Sequence, residues 1–327
     1  MHIPDGYLSP KTCIAFYGVM LPVWYVASRK AEKAVKINNL PLLALTAAFA
    51  FVVMMFNVPV PGGSTGHMVG TAVVAITLGP WASIVAISLT GALQALAFGD
   101  GGLTTLGANT FNMALLMSAS GYLIYETIGY GRPGPFRKAI AAGLAGYVAT
   151  NISAFSAAIM LGTQPVIASG PDGRALYFPY PLSVSIPAMV VPHLLFFGPL
   201  EAIGTALAVP YIQRVNEARH ARGVLPGRRW GFWALIVFMI ILAPIGLIAT
   251  GSSWGEWSLE EFKTLIGYAP EGMKSLKTGW RGILPEYGLP SAGSSLGAAA
   301  LYAISAFFGS AVIVFLIYMW GRVWPGK

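Results

Sequence analysis

Long apolar stretches recur along the whole chain, and most of them approach the roughly 20 residues that a helix needs to cross a bilayer. Gly, Pro and short charged runs separate nine such stretches, at about residues 10–28, 40–58, 68–79, 81–98, 104–128, 138–162, 182–211, 231–250 and 296–320. The third stretch is too short to cross straight and is expected to be a broken or tilted segment. Only 10% of the residues are charged, against roughly 25% in soluble domains. The pattern predicts an all-α polytopic membrane protein.

The basic residues indicate how this chain is oriented. Of the 20 Lys and Arg residues, 14 lie on one side of the predicted membrane, in segments 29–36, 132–138, 214–229 and 322–327. Because Lys and Arg are enriched in cytoplasmic loops, the N-terminus is predicted to lie outside and the C-terminus inside. The net charge of +8 therefore reflects membrane topology. The basic residues are dispersed, so the expected partner is the lipid bilayer and not a nucleic acid.

The first two residues, Met1 and His2, could together form a metal chelate. No basic region precedes the first apolar stretch, so no cleavable signal peptide is expected and the mature protein is predicted to begin at Met1. The free α-amine, the His2 backbone nitrogen and His2 Nδ1 could then close two fused rings around one ion. This flat nitrogen set suits Ni(II) or Cu(II) better than Zn(II), which prefers a tetrahedron. The alternative is a mobile terminus with an accidental histidine.

A fourth nitrogen could come from His67. The topology places the loop 58–67, with the sequence Val-Pro-Val-Pro-Gly-Gly-Ser-Thr-Gly-His, on the same side of the membrane as His2. Its prolines and glycines forbid a regular helix and let the backbone approach a ligand closely. A phosphate-binding loop is excluded, because the Lys-Ser/Thr pair of that motif is missing. The alternative is a histidine that is merely exposed.

Three segments resemble the signatures of the CbiM/NikM family, the substrate-capture (S) components of energy-coupling-factor (ECF) nickel and cobalt importers. They are MHIPDGYLS at 1–9, PGGSTGH at 61–67 and QALAFGDGGLTTLGANTFNM at 94–113. The resemblance implies a seven-helix capture module at residues 1–225. Residues 226–327 resemble the accessory NikN or CbiN-like subunit, with two helices flanking an outer loop.

The family resemblance also implies the ligands, the substrate and the partners. The metal would be held by the Met1 amine, the backbone and side-chain nitrogens of His2, and the imidazole of His67. Ni2+ or Co2+ would be the transported substrate, and the His-Ile-Pro-Asp-Gly opening favours nickel. The chain has no nucleotide-binding motif and is not expected to be an enzyme, so a transmembrane coupling (T) subunit and cytoplasmic ATPase subunits are expected as partners. The expected location is the cytoplasmic (inner) membrane of a prokaryote, with the metal site on the outer face.

Four polar residues are candidates for supporting this site. Asn109 and Gln94 lie on either side of the turn at 99–102, on the metal side, and Asn109 could hold a ligating imidazole in its proper tautomer. Ser64 and Thr65 lie in the same loop as His67. The alternative is that the amides merely bridge packed helices, as polar groups in bilayers commonly do.

Two ionisable residues, His193 and Glu201, fall inside a predicted span. Such residues are functional by default, although His193 could instead satisfy backbone groups freed by Pro192. A proton-coupled secondary metal carrier is the alternative function, and it would place essential acids near the midplane, where Glu201 is nearly alone. A membrane enzyme would need a nucleophile, a base and oxyanion donors together, and the sequence offers no such set. The outer segment 251–295 is expected to form a small domain or a hinged lid.

Overall fold

The computed structural model describes residues 2–35, 39–60, 64–131, 134–222, 229–248, 253–277, 280, 282–288 and 295–323. Met1 lies outside these ranges. Within them the chain is almost entirely helical, and one antiparallel pair of short strands, β1 (Val58–Val60) and β2 (Ser64–Gly66), makes up the sheet. The predicted all-α class is confirmed.

The first part of the chain contributes ten of the described α-helices. They are α1 (Pro10–Ala34), α2 (Leu40–Met54), α3 (Thr71–Leu78), α4 (Pro80–Leu93), α5 (Leu106–Thr110), α6 (Met117–Ile128), α7 (Pro135–Gly162), α8 (Gln164–Ile167), α9 (Leu182–Pro192) and α10 (Gly198–Arg222). The last part contributes four: α11 (Arg229–Leu242), α12 (Leu259–Ile266), α13 (Glu271–Lys277) and α14 (Ser295–Val323). The predicted boundary at residue 225 lies outside the described residues.

Several helices are suited to a membrane. Four continuous helical stretches are long and apolar enough to cross a bilayer: Pro80–Phe98, Pro135–Ile167, Leu182–Val215 and Ser295–Val323. The third apolar stretch of the sequence is the eight-residue helix α3, about 12 Å long, which is far shorter than the roughly 30 Å hydrocarbon core. The protein is therefore a multi-pass membrane protein, while the number of nine spans and the outside position of the N-terminus stay predictions.

Three turns of π-helix interrupt these helices. Gln94–Phe98 ends α4, Phe111–Leu116 joins α5 to α6, and His193–Phe197 joins α9 to α10. Turns of this kind are rare and often mark functional sites. They give the first reason to look for a site near residues 94–116 and 193–197.

Small side chains allow α7 and α10 to pack closely. Ala141, Ala142 and Ala145 are fully buried in α7, and a side chain at Gly146 would collide with Thr205 of α10. These small residues therefore serve helix packing within the chain.

The last part of the chain packs directly on the first. Gly309 of α14 lies against the ring of Phe51 in α2, where a larger residue would not fit. The Tyr302 hydroxyl donates a hydrogen bond to the carbonyl of Met55 at 2.6 Å. The two parts therefore form a continuous apolar core.

Candidate metal site

The backbone that follows Met1 is fixed in place by side chains of the segment 100–109. Asn109 Oδ1 accepts a hydrogen bond from the Ile3 N–H at 2.8 Å, and Asn109 Nδ2 donates one to the Ile3 carbonyl at 3.0 Å. The Thr105 hydroxyl and the Gly102 N–H also donate to the Ile3 carbonyl. His2 and Ile3 are consequently buried, which argues against a mobile terminus.

Asp5 makes a second attachment to the same turn. Its carboxylate accepts hydrogen bonds from the N–H groups of Leu103 and Thr104, at 3.1 and 2.8 Å. A side chain at Gly102 would collide with Asp5. Gly101 has a left-handed φ of +76° and leaves no room for a larger residue beside Asn109. The glycines of this turn let two backbone segments meet.

His2 and His67 come together in the folded chain. Their ring centroids lie 5.0 Å apart, and the side chains are only 5% and 6% exposed. The hairpin of β1 and β2 delivers His67, and Gly66 packs so closely on the ring of Phe197 that only glycine fits there. The structure therefore brings together two of the three residues that were predicted as ligands.

Hydrogen bonding assigns the proton on the His67 ring. His67 Nδ1 lies 2.8 Å from the carbonyl of Met68, which can only accept, so Nδ1 carries the hydrogen and Nε2 carries the lone pair. His67 Nε2 is buried and has no hydrogen-bond partner among the described residues. Burial lowers the pKa of His67 well below its ordinary value of 6.5, so the ring is neutral at neutral pH. This nitrogen is ready to bind a metal ion.

His2 is held by an acid that the sequence analysis did not single out. His2 Nδ1 lies 2.5 Å from Asp100 Oδ1, and the hydroxyl of Tyr287 donates to Asp100 Oδ2. Burial alone would raise the pKa of Asp100, but its contact with the His2 ring holds that pKa below the ordinary value. Asp100 could have been suspected as the acid within the Gly-rich turn, whereas no sequence signal pointed to Tyr287.

The predicted supporting residues occupy different positions. Gln94 is fully buried and its Nε2 donates to the Tyr287 hydroxyl at 3.1 Å, so it acts on His2 only through Asp100. The hydroxyls of Thr65 and Ser253 lie 2.7 Å apart, which ties the His67 hairpin to the outer segment. The side chain of Ser64 lies outside the described part of the structure, as Met1 does.

The two intramembrane ionisable residues do not pair with each other. His193 Nδ1 donates to the carbonyl of Met189 at 2.7 Å. Both oxygens of the fully buried Glu201 carboxylate accept hydrogen bonds from backbone N–H groups, those of Val69 and Gly70, at 2.8 and 2.9 Å. Glu201 thus fixes the backbone directly after the His67 hairpin.

The side chains alone do not complete a metal site. Among the residues that the structure describes, no group of three His, Cys, Asp or Glu could hold a metal ion. Two imidazoles therefore need further donors, and backbone nitrogens are the donors that the sequence predicts.

Two buried imidazoles converge in this multi-pass helical protein, as expected of a membrane component that handles metal ions. Over residues 2–219 the chain matches the CbiM family, described as the cobalt uptake substrate-specific transmembrane region. The chain belongs to the CbiM family, and the resemblance predicted from the sequence is confirmed. Relatives that match it are named as transport proteins.

Relatives with both parts of the chain are known. The fused nickel transport protein NikMN of Rhodobacter capsulatus is 42% identical, over 96% of this chain and 95% of that protein. The probable fused nickel transport protein LarMN of Lactiplantibacillus plantarum is 37% identical, over 98% and 97%. The crystal structure of a truncated transition metal transporter is 45% identical, covers 66% of this chain and 99% of its own, and superposes with a TM-score of 0.62.

The hydrogen bonds of Asn109 give a test of this geometry. We expect Asn109→Ala to weaken Ni(II) binding about 10- to 100-fold, because the backbone next to His2 loses two partners. Isothermal titration of the purified protein measures the effect. Asn151→Ala is the matched control, since the Asn151 amide donates to the Tyr147 carbonyl of its own helix. Wild-type affinity in Asn109→Ala would contradict the assigned role.

Proposed function

We propose that this chain is the substrate-capture (S) component of an ECF transporter that imports Ni(II) or Co(II). The metal ligands are the Met1 amine, the His2 backbone and side-chain nitrogens, and His67 Nε2. The observation that carries the proposal is the buried, unpaired Nε2 of His67, in a ring 5.0 Å from that of His2. Nickel is favoured because relatives that match nearly the whole chain are named as nickel transport proteins.

Metal capture requires an exchange at His2. In the chelate Nδ1 binds the ion, whereas in this structure Nδ1 contacts Asp100. The ion must therefore displace the Asp100 carboxylate. Tyr287 and Gln94 both lie within hydrogen-bonding distance of Asp100 and can keep the released carboxylate paired. A buried carboxylate without partners would be costly.

The rest of the transporter is supplied by other chains. A T subunit and cytoplasmic ATPases provide the energy, and the protein lies in the prokaryotic inner membrane with the metal site on its outer face. Residues 1–225 form the capture module and 226–327 the NikN or CbiN-like accessory module. A proton-coupled carrier is less well supported, because both oxygens of Glu201 are already occupied by backbone N–H groups.

The role of the Met1 amine can be tested by an insertion. One alanine placed between Met1 and His2 keeps every side chain but changes the ring sizes of the chelate and its reach to His67. We expect Ni(II) uptake by cells carrying the whole transporter to be abolished. The same insertion at exposed Gly173, in the loop between α8 and α9, controls for loss of folding. Normal uptake by the Met1 insertion variant would exclude the amine as a ligand.

The role of His67 can be tested by pH. His67→Ala should weaken Ni(II) binding by roughly 100-fold or more. The loss of a residue that only hydrogen-bonds a metal ligand already costs about 10- to 100-fold. Because burial lowers the pKa of His67 well below 6.5, the ring stays neutral from pH 8 to 6.5. The affinity of the wild type divided by that of His67→Ala should be constant in that range. It should fall only at lower pH, where the His67 ring of the wild type gains a proton. A ratio near one at pH 8 would contradict the proposal.

Reconstitution tests the need for partners. In liposomes the chain alone should bind Ni(II) and accumulate none, because a ligand shifts a conformational equilibrium only through its differential affinity for the states. Adding the coupling subunit, the ATPases and ATP should produce uptake of radioactive nickel. Uphill uptake by the single chain in a proton gradient would instead establish the secondary carrier.

A further inference from the structure

A small cavity lies beside His2, between the outer segment and the π-helical turn His193–Phe197. Part of its wall is apolar and comes from Leu161, Met189 and Phe197. The polar part of the wall consists of His2, Thr65, His193, Ser253 and Glu256. The cavity therefore connects one of the proposed metal ligands with an acid of the outer segment.

The two proposed imidazole ligands are 5% and 6% exposed, so an ion cannot reach them directly from water. An ion that leaves water needs charge and lone pairs along its route. Glu256 is half-buried and is the one acid among the described residues that line the cavity.

His193, which also lines the cavity, offers it a nitrogen lone pair. Its Nδ1 donates to the Met189 carbonyl, which leaves Nε2 as the acceptor nitrogen of the ring. His193 is buried and begins the π-helical turn. His2 also lines the cavity, and its Nε2 is buried and has no hydrogen-bond partner among the described residues.

We propose that this cavity is a transit site for the divalent cation, with the Glu256 carboxylate and His193 Nε2 as successive contacts on the way to His2. The inference rests on the proposed function, since it supplies the route to the same site. Apart from His2, the cavity offers two ligating side chains, those of Glu256 and His193, fewer than the four nitrogens of the proposed chelate, so the ion passes through the cavity without being retained there. Glu256 and His193 thus set the rates at which the ion enters and leaves.

A contact that acts only in transit has a kinetic signature. It lowers the barrier for binding and release alike, so its loss slows both rates by the same factor and leaves the Kd unchanged. A residue that supports the final site changes the Kd instead. The two roles are therefore separated by measuring both rates.

The experiment uses stopped-flow mixing of the purified full chain with Ni(II), followed by tryptophan fluorescence, since Trp254 also lines the cavity. Release is measured by mixing the loaded protein with a chelator. We expect Glu256→Gln to slow both rates about tenfold, which corresponds to a barrier higher by about 1.4 kcal/mol, with the Kd changed less than twofold. Glu256→Asp should restore the rates, because it keeps the charge. His193→Asn, which can keep the bond to Met189 but lacks Nε2, should also slow both rates.

The control is Glu260→Gln, which removes an exposed acid of the same segment and should leave both rates as in the wild type. Wild-type rates in Glu256→Gln and His193→Asn would overturn the transit site, as would a changed Kd at an unchanged association rate. If the wild-type chain itself fails to bind Ni(II), the proposed function fails and not the route alone.

Discussion

The pairing of the Asn109 amide with the backbone of Ile3 is the interaction on which the site depends. Backbone groups buried in an apolar interior must find partners, and residues 2–9 lie outside any helix or strand that could provide them. Asn109 supplies an acceptor and a donor at 2.8 and 3.0 Å. These bonds fix the Ile3 backbone on both sides and so position the neighbouring His2, whose ring lies 5.0 Å from that of His67.

The outer segment completes this arrangement from the other end of the chain. Tyr7 donates to the carbonyl of Trp257 at 2.5 Å and packs in an aromatic cluster with Phe178 and Phe262. Tyr287 stacks on Phe98, with ring centroids 4.6 Å apart, while its hydroxyl holds Asp100. The first ten residues of the chain and the segment after residue 250 therefore both contribute contacts to the surroundings of His2.

The sequence predicted the helical class and the family, because apolar length and a linear motif are both local properties. It also predicted that His2 and His67 lie on the same side of the membrane, since that follows from counting apolar stretches. Their role as metal ligands stays a prediction. It did not predict the contact of Asp100 with Tyr287, which are 187 positions apart. Such a pair depends on how α14 packs on α2, and no spacing encodes that packing. Glu201 was noticed as an intramembrane acid, but its bond partners are backbone groups, which carry no sequence signal.

The carboxylate of Glu201 determines which helix holds the His67 loop. Through two adjacent backbone N–H groups, it attaches the chain directly after the His67 hairpin to α10. His2 is held by a different helix, because Asn109 of α5 binds the backbone of the adjacent residue Ile3. The two histidines are thus attached to different helices, and a movement of α10 relative to α5 would change the distance between their imidazoles.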